Sequence, residues 1–414
     1  MYNKIIEKIK TIFYPCLSLG ASSIFFISIG SIYGLSKTSD LIFLTLTVVT
    51  TIGTILQISW YGFLPKLAST KSKNNLTYII SNSIFYCAIL NSIPILISYL
   101  FKDTTYLIGG FIYSLFFQMH QLMRNIFIYL GKVKYFYFFD FLGYSLNMIT
   151  LVLLNYFLSS PSNSLIFLSL SLGWLLANII ELYLLRIYLK FFISLKPLFI
   201  FVAPTVISRL ASCGFILKDL LMAFALNTFT PIGGLTIYTY LNKLAISIFQ
   251  VFSIYKVNIW ISKFKTINKN DLTIDDIKKI SFSSSIDYII FLFITLIFFY
   301  ILASAFKINY SLLWAAYCIL TSGLLYLIQS IEQPFARYVY INKLFSSVAK
   351  ADFFNFTIYI LVYFIGYLDS NIYLILFGLI ISQIASLYIY TSSSKHYLIK
   401  IKSKSTFTKE YKNE

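Results

Sequence analysis

The sequence predicts an all-α, polytopic membrane protein of about twelve transmembrane helices, arranged as two parallel six-helix lobes around a central cavity. The chain of 414 residues is 58% hydrophobic and only 12% charged, with a mean hydropathy of +0.80. Soluble domains carry about twice that share of charge. Apolar runs of about 18 residues or more recur from end to end, which is the length a helix needs to cross a bilayer. The runs are continuous rather than alternating, so a membrane β-barrel does not fit.

The hydrophobic segments place the helices in order along the chain. In the first half of the chain, helices are predicted at 11–34, 41–64, 77–101, 105–130, 135–158 and 164–190. In the second half, helices are predicted at 198–226, 231–262, 280–306, 310–330, 346–368 and 370–394. Six spans return the chain to its starting side, so two such halves would be parallel repeats. Pro15 and Pro204, each early in its half, are a weak sequence signal of that repeat.

The remaining segments complete the predicted domain organisation. Residues 1–10 mix isoleucines and lysines in the pattern of a short interfacial helix on the cytoplasmic surface. The N-lobe spans 11–190 and the C-lobe 198–394, and a cytoplasmic linker at 191–197 joins them. The basic segment 395–414 predicts a disordered cytoplasmic tail.

The distribution of basic residues predicts the orientation. With both termini inside, 25 of the 33 lysines and arginines fall in inner segments, three in outer loops and the other five within helices. This is a strong positive-inside signal. It explains the net charge of +18 without a nucleic-acid partner. The longest connection, the inner loop 263–279, carries charges typical of a solvated loop.

Five basic residues lie within predicted helices: Arg124, Arg209, Lys218, Lys243 and Lys256. A cation at a helix centre costs about 2.5–3.5 kcal/mol on insertion scales, so such residues usually face a bundle interior or a water-filled cavity. Arg209 and Lys243 lie near the midplane of consecutive helices and are expected to line a polar cavity or to form fixed pairs. Lys256 is expected to snorkel to the inner surface, and Lys218 to snorkel to the outer headgroups or to take part in charge pairing.

Asp219 is the acidic residue that we expect to neutralise these cations. It would pair with Lys243 or Arg209, and such a pair could be remade during a transport cycle. At the outer end of helix 8, Thr230 is the expected N-cap and Pro231 fits the first turn.

The fourth predicted helix carries the polar sequence FFQMHQLMRN. His120 and Arg124 are four residues apart and share one face. Such a surface is not expected to face lipid. His120 is interpreted either as a polar neighbour of Arg124 or as a proton relay.

A cationic cavity within a membrane suits a phosphate or diphosphate headgroup on a lipid tail. Arginine and lysine replace the hydration of such a group with charge-assisted hydrogen bonds. Four cysteines, none paired at metal-ligand or redox spacing, predict no metal site, and no cofactor is predicted.

Three stretches carry a resemblance to a known family: Tyr33-Gly34-Leu35 with Ser39-Asp40-Leu41-Ile42-Phe43, then Phe63-Leu64-Pro65-Lys66-Leu67, then Gly233-Gly234-Leu235-Thr236 with Tyr238-Thr239-Tyr240-Leu241-Asn242-Lys243-Leu244. They resemble the patterns between the first two helices, at the end of the second helix and in the eighth helix of the multidrug/oligosaccharidyl-lipid/polysaccharide (MOP) exporter superfamily. The likeness is greatest to O-antigen (Wzx-type) flippases, with some to MurJ-type lipid II flippases.

This resemblance implies two lobes that work by alternating access, with Lys243 in the cavity and Asp40 at the outer gate. Lipid II flippases carry arginines in their first helix, whereas this chain has no charge between Lys10 and Lys37. The expected substrate is therefore an O-antigen or capsule repeat unit.

The favoured function is a flippase, not an enzyme, that moves an undecaprenyl-diphosphate-linked oligosaccharide across the bacterial plasma (inner) membrane. Its expected substrate-binding residues are Lys243, Arg209, Asn242, Arg124 and His120, and its gating or charge-pairing residues are Asp219, Lys218 and Asp40. The expected partners are the lipid-linked substrate, membrane lipids and polysaccharide polymerase machinery.

Two alternatives remain open from the sequence. A polysaccharide polymerase or glycosyltransferase would need catalytic groups on the outer face, where the predicted loops are short. A MATE-like drug or cation antiporter would need acidic residues within the lobes, and Asp219 is the only deep candidate that this interpretation recognises.

Overall fold

The computed structural model describes residues 2–61, 72–100, 107–130, 132–158, 161–190, 203–254, 257, 273–305, 312–342 and 344–410. These residues form twelve α-helices and no strand. The helices are α1 Tyr2–Tyr33, α2 Lys37–Tyr61, α3 Lys73–Leu100, α4 Ile108–Tyr129, α5 Val133–Phe157, α6 Asn163–Leu185, α7 Ala203–Phe229, α8 Gly234–Ile248, α9 Ile274–Ala305, α10 Leu312–Ile341, α11 Phe345–Leu368 and α12 Ile372–Glu410. The predicted all-α fold class is confirmed.

Ten of these helices are long and apolar enough to cross a membrane, and the chain is a multi-pass membrane protein. The two described helices outside that set are α4 and α8. They are the helices that carry FFQMHQLMRN and Asn242-Lys243. The helix α8 falls outside the set because it has only 15 residues. Both helices carry polar residues that are expected to serve function.

The two ends of the chain differ from the sequence expectation. Residues 2–10 are helical, but they continue without a break into the first span as one helix of 32 residues. The segment predicted to be disordered is also helical as far as Glu410. That prediction was wrong because no glycine or proline follows Gly378 to end α12.

The start of α9 also corrects a prediction. The helix begins at Ile274, within the segment predicted to be a solvated loop. Thr273 and Asp276 cap it reciprocally: the backbone N–H of Thr273 donates to Oδ2 of Asp276 (3.0 Å), and that of Asp276 donates to Oγ1 of Thr273 (3.3 Å). This Thr-x-x-Asp capping box stabilises the first turn, so the acidic residues belong to the helix.

The end of α10 lies further along the chain than predicted. The helix continues through Pro334 to Ile341 instead of ending at residue 330. Proline is tolerated in membrane helices because neighbouring groups satisfy the freed backbone carbonyl. Glu332 therefore lies within a helix, and its side chain is buried.

The chain divides into two compact units. Unit 1 comprises Met1–Arg209 and Asp219–Thr236, and unit 2 comprises Leu210–Lys218 and Ile237–Glu414. The predicted linker 191–197 lies outside the described residues, and the predicted lobe boundaries stay predictions.

Within the units, the same packing pairs recur with a shift of six helices. In unit 1, α4 packs against α3 and α6, and α5 against α6. In unit 2, α10 packs against α9 and α12, and α11 against α12. This recurrence supports the six-plus-six organisation.

The helices carry their apolar side chains outward and their polar side chains inward. On α6, Leu172, Leu176 and Ile179 are exposed, whereas Asn178 and Glu181 are buried. A lipid-facing surface is as apolar as a protein core, so hydrophobicity does not drive these helices together. Close packing and internal polar contacts must hold them.

Small residues permit that close packing between α5 and α6. A Cβ atom on Gly143 of α5 would overlap the fully buried ring of Trp174 on α6. Glycine thus brings the α5 backbone against the largest side chain of the unit 1 interior.

We expect Gly143→Ala to destabilise unit 1 by about 1–3 kcal/mol, because overpacking forces the ring or the helix to move. The measurement is thermal unfolding of the purified protein in detergent. Gly20→Ala is the matched control, since nothing lies within 4 Å of the added carbon. Equal unfolding temperatures for the two variants would contradict the packing role of Gly143.

Candidate functional site

The two sequence stretches that flank Asp40 and Gly233 meet within unit 1. Gly34 ends α1 with φ +67°, and Gly233 has φ +88°, so both adopt the left-handed conformation that favours glycine. A Cβ on Gly233 would lie 2.8 Å from Cβ of Leu35. The turn after α1 therefore packs directly against the turn before α8.

The carboxylate of Asp40 joins these two turns. It lies in the first turn of α2 and is buried. It accepts hydrogen bonds from the backbone N–H of Gly233 (2.7 Å), the backbone N–H of Thr236 (2.9 Å) and the Thr236 hydroxyl (2.6 Å). An anion at the unsatisfied N–H groups of a helix start is favourable. Asp40 thus caps α8 from another helix.

This arrangement corrects the predicted start of helix 8. The helix begins at Gly234, and the hydroxyl of Thr230 donates to the carbonyl of Leu226 at the end of α7 (2.5 Å). Thr230 is therefore not the N-cap, because the Asp40 carboxylate accepts from the helix start.

The predicted substrate-binding pair lies along α8. Lys243 is nine residues after Gly234, or about 14 Å at 1.5 Å per residue, and it is half-buried. Oδ1 of Asn242 is buried without a hydrogen-bond partner among the described residues. A π-helical turn follows at Phe249–Ile254, and such turns are frequent at functional sites.

Unit 1 also encloses a cluster of four charged or titratable side chains: Arg124, His120, Asp140 and Glu181. Nη1 of Arg124 on α4 pairs with Oδ1 of Asp140 on α5. Nδ1 of His120 lies 2.9 Å from Oε1 of Glu181 on α6, and its Nε2 lies 3.5 Å from Oδ1 of Asp140. The hydroxyl of Ser18 on α1 donates to the other oxygen of Asp140. The cluster therefore links α1, α4, α5 and α6.

This geometry revises the roles expected for His120 and Arg124. His120 is fully buried, and both of its ring nitrogens face carboxylates. The expectation that α4 hides this face from lipid is confirmed for His120. In this conformation neither His120 nor Arg124 is arranged to meet a substrate, because each is engaged with an acidic partner.

Unit 2 holds a second buried polar cluster, and Lys218 is part of it. The snorkelling prediction for Lys218 was wrong: the side chain is 3% exposed. Its Nζ donates to Oδ1 of Asn355 and to Oγ of Ser382 (3.4 Å), and it lies 5.7 Å from the centroid of the Tyr359 ring. Internal acceptors on α11 and α12 replace the headgroups as the partners of this ammonium.

A buried glutamate belongs to the same cluster. Oε2 of Glu332 on α10 accepts from Nε2 of Gln383 on α12 (2.6 Å), and Oε1 of Gln383 lies 3.4 Å from Nδ2 of Asn355. Lys218 and Asp352 are near enough to act electrostatically on Glu332. An amide network thus connects the Lys218 ammonium with the Glu332 carboxylate.

One contact recurs in both units. Ser18 of α1 donates to Asp140 of α5, and Ser212 of α7 donates to Asp352 of α11 (2.5 Å). Each aspartate is the eighth residue of its helix. The first and fifth helices of each half are therefore joined by the same hydrogen bond, which the sequence did not reveal.

Several predicted positions lie outside the described residues. Lys256 and the stretch Phe63-Leu64-Pro65-Lys66-Leu67 are among them. Arg209 lies in α7, but its side chain is not described. Asp219 is exposed, and its pairing with Lys243 or Arg209 stays a prediction.

Sequence reasoning missed the acidic residues within the helices. Asp140, Glu181 and Glu332 are buried, so Asp219 is not the only deep acidic residue. Asp140 and Glu181 lay inside the fifth and sixth predicted helices, and an acidic residue within a predicted membrane span is a signal that could have been used. Glu332 was lost because its helix was predicted to end two residues earlier.

The whole fold is similar to solved transporters. The lipid II flippase MurJ, in an inward closed conformation, matches with a TM-score of 0.68 and 14% identity over 97% of this chain and 91% of that chain. An outward-facing multidrug resistance MATE family transporter of the MOP superfamily matches with a TM-score of 0.64 and 11% identity, over 95% of this chain and 96% of that chain. A MOP superfamily transporter from Pyrococcus furiosus is described as having a binding pocket of reverse polarity. It matches with a TM-score of 0.52 and 12% identity, over 94% of this chain and 95% of that chain. The chain shares the fold of these transporters.

The sequence comparisons add no closer relative. No protein-family model matches the chain. No curated protein matches it either.

We expect Lys218→Met to destabilise the protein by about 3–5 kcal/mol, because it removes the cation near a buried carboxylate. The double variant Lys218→Met/Glu332→Gln should recover part of that loss, since it removes the uncompensated charge as well. Thermal unfolding in detergent measures both, with Lys37→Met at the exposed start of α2 as control. Additive losses in the double variant would show that the two side chains are not coupled.

Proposed function

We propose that the protein is a flippase that moves an undecaprenyl-diphosphate-linked oligosaccharide, an O-antigen or capsule repeat unit, across the bacterial plasma membrane by alternating access. The observation that carries the proposal is a half-buried lysine beside an unpaired buried amide oxygen in α8. The fold it shares with a lipid II flippase supports this substrate class.

The chemistry of the pair suits a lipid-linked diphosphate. In this proposal the Lys243 ammonium donates to phosphate oxygens, and Asn242 accepts from a sugar hydroxyl. Charge-assisted hydrogen bonds to phosphate are about twice as strong as neutral ones. Arg209 is proposed as a further substrate-binding cation.

Asp40 is proposed as a gating residue on the outer side. Its carboxylate accepts three hydrogen bonds from the start of α8, the helix that carries Lys243. A change in the position of α8 would have to break or remake these bonds. Polysaccharide polymerase machinery, acting on the exported unit, is the proposed downstream partner.

A second candidate is an ion-coupled antiporter of small molecules. The buried carboxylates of Asp140, Glu181 and Glu332 favour it, since such transporters need acidic residues within the lobes. The MATE family transporter of similar fold favours it as well.

Deletion of the gene in the native host tests the flippase proposal. We expect complete lipid-linked repeat units to accumulate on the inner leaflet, measured by leaflet-resolved analysis of the glycan and its length. Single units exposed outside but not polymerised would indicate a polymerase instead. An unchanged glycan pool would overturn the flippase proposal in favour of the antiporter.

Complementation of that deletion tests Lys243. We expect Lys243→Ala to abolish export and Lys243→Arg to retain part of it, because the arginine keeps a cation at the same depth. Lys350→Ala, at an exposed position in α11, is the matched control. Export equal to wild type in both Lys243 variants would exclude a role in substrate binding.

A further inference from the structure

We propose that His120 and Glu181, with Asp140 and Arg124, form a proton-binding site inside unit 1 that takes up and releases one proton during the working cycle. The existence of the site does not depend on the substrate. Its coupling to export rests on the proposed function.

The first support is the placement of the imidazole. His120 lies between two carboxylates from two other helices, with Glu181 of α6 2.9 Å from Nδ1 and Asp140 of α5 3.5 Å from Nε2. An imidazole with an acid at each nitrogen can accept a proton at one nitrogen and release one from the other. The 2.9 Å contact between Nδ1 and Glu181 is not aligned as a hydrogen bond, so a transfer between them requires a small reorientation of the two side chains.

The second support is the balance of charge. With a neutral imidazole, Arg124 contributes one positive charge against two carboxylates, so the cluster carries −1. One added proton, on His120 or Glu181, makes it neutral. Since an uncompensated buried charge is costly, the site favours holding one proton while it stays closed to water. Release of that proton leaves a net negative charge in the cluster, which requires compensation from its surroundings.

The surroundings of His120 bring no further charge to it within the described chain. Glu181, Asp140 and Arg124 are the charged groups that act on it. The helices α2 and α3 also pack against α4 and against each other. The helix α2 has no charged residue after Asp40, and α3 has none after Lys73. The hydroxyls of Tyr144 and Tyr113 lie near the cluster, and the Trp174 ring lies 4.6 Å from the imidazole centroid.

The third support is a gradient of access along the cluster. The side chains of Arg124 and Asp140 are 18% and 11% exposed, whereas those of His120 and Glu181 are fully buried. A proton would therefore enter at Asp140, pass through the imidazole and reach Glu181. Asp140 is also the residue bound by Ser18 of α1, so a proton at His120 would act on a carboxylate that joins α1 to α5.

The chain contains two histidines, and this makes the proposal directly measurable. The protein is labelled with ¹³C/¹⁵N-histidine, reconstituted in nanodiscs of bacterial polar lipids, and followed by NMR from pH 5 to pH 9. His396→Gln, which removes the exposed histidine of α12, assigns the remaining signal to His120. We expect His120 to change between neutral and protonated forms within this range.

Glu181→Gln tests the partner. We expect the ratio of protonated to neutral His120 at a given pH to fall at least about tenfold, because a nearby anion changes that ratio by about one to three powers of ten. A His120 signal that stays in one protonation state throughout, or a ratio unchanged in Glu181→Gln, would overturn the proton site. Neither result depends on the identity of the substrate.

Complementation of the deletion tests the coupling separately. We expect His120→Gln and Glu181→Gln to lose export at wild-type amounts of folded protein, whereas the matched His396→Gln exports normally. Full export by His120→Gln would overturn the coupling and leave the flippase proposal standing. If deletion itself leaves the glycan unchanged, the proposed function fails, and the NMR titration still decides the proton site.

Discussion

A charge in the low-dielectric interior of a membrane protein requires a partner, and this constraint organises both units. In unit 1, Asp140 pairs with Arg124, and Glu181 faces His120. In unit 2, amide and hydroxyl groups enclose the Lys218 ammonium near the carboxylate of Glu332. Each cluster uses the first, fourth, fifth and sixth helices of its half. Helices that cannot gain stability from hydrophobicity alone are thus joined by polar contacts that only their mutual arrangement satisfies.

The two clusters are built on the same plan but with different chemistry. A serine of the first helix donates to the eighth residue of the fifth helix in both halves. The cations differ: unit 1 has arginine and histidine on its fourth helix, and unit 2 has lysine on its first. Of these groups, imidazole is the one whose unperturbed charge changes near neutral pH. The shared hydrogen bond therefore serves the fold, while the surrounding residues give each unit its own behaviour.

The stretches around Asp40 and Gly233 illustrate how a family resemblance acquires a physical meaning. They lie about 190 residues apart in the sequence, yet they form one structure through the carboxylate that caps α8. The glycine at 233 is required by its positive φ and by its contact with Leu35. The sequence showed the residues of both stretches, but the hydrogen bonds that connect them appear only in the tertiary structure.

The sequence alone determined the number of helices and located polar residues within α4 and α8, because apolar length and local composition suffice for those conclusions. The sequence did not predict the start of α9 at Ile274, the end of α10 at Ile341 or the helical tail. A capping box stabilises the first of these, and a tolerated proline allows the second. The partners of the buried charges were decided by tertiary structure. Lys218, which was expected to snorkel to the headgroups or to take part in charge pairing, lies against Asn355, 137 residues away. Such pairs join helices that the chain brings together only on folding, so no local pattern predicts them.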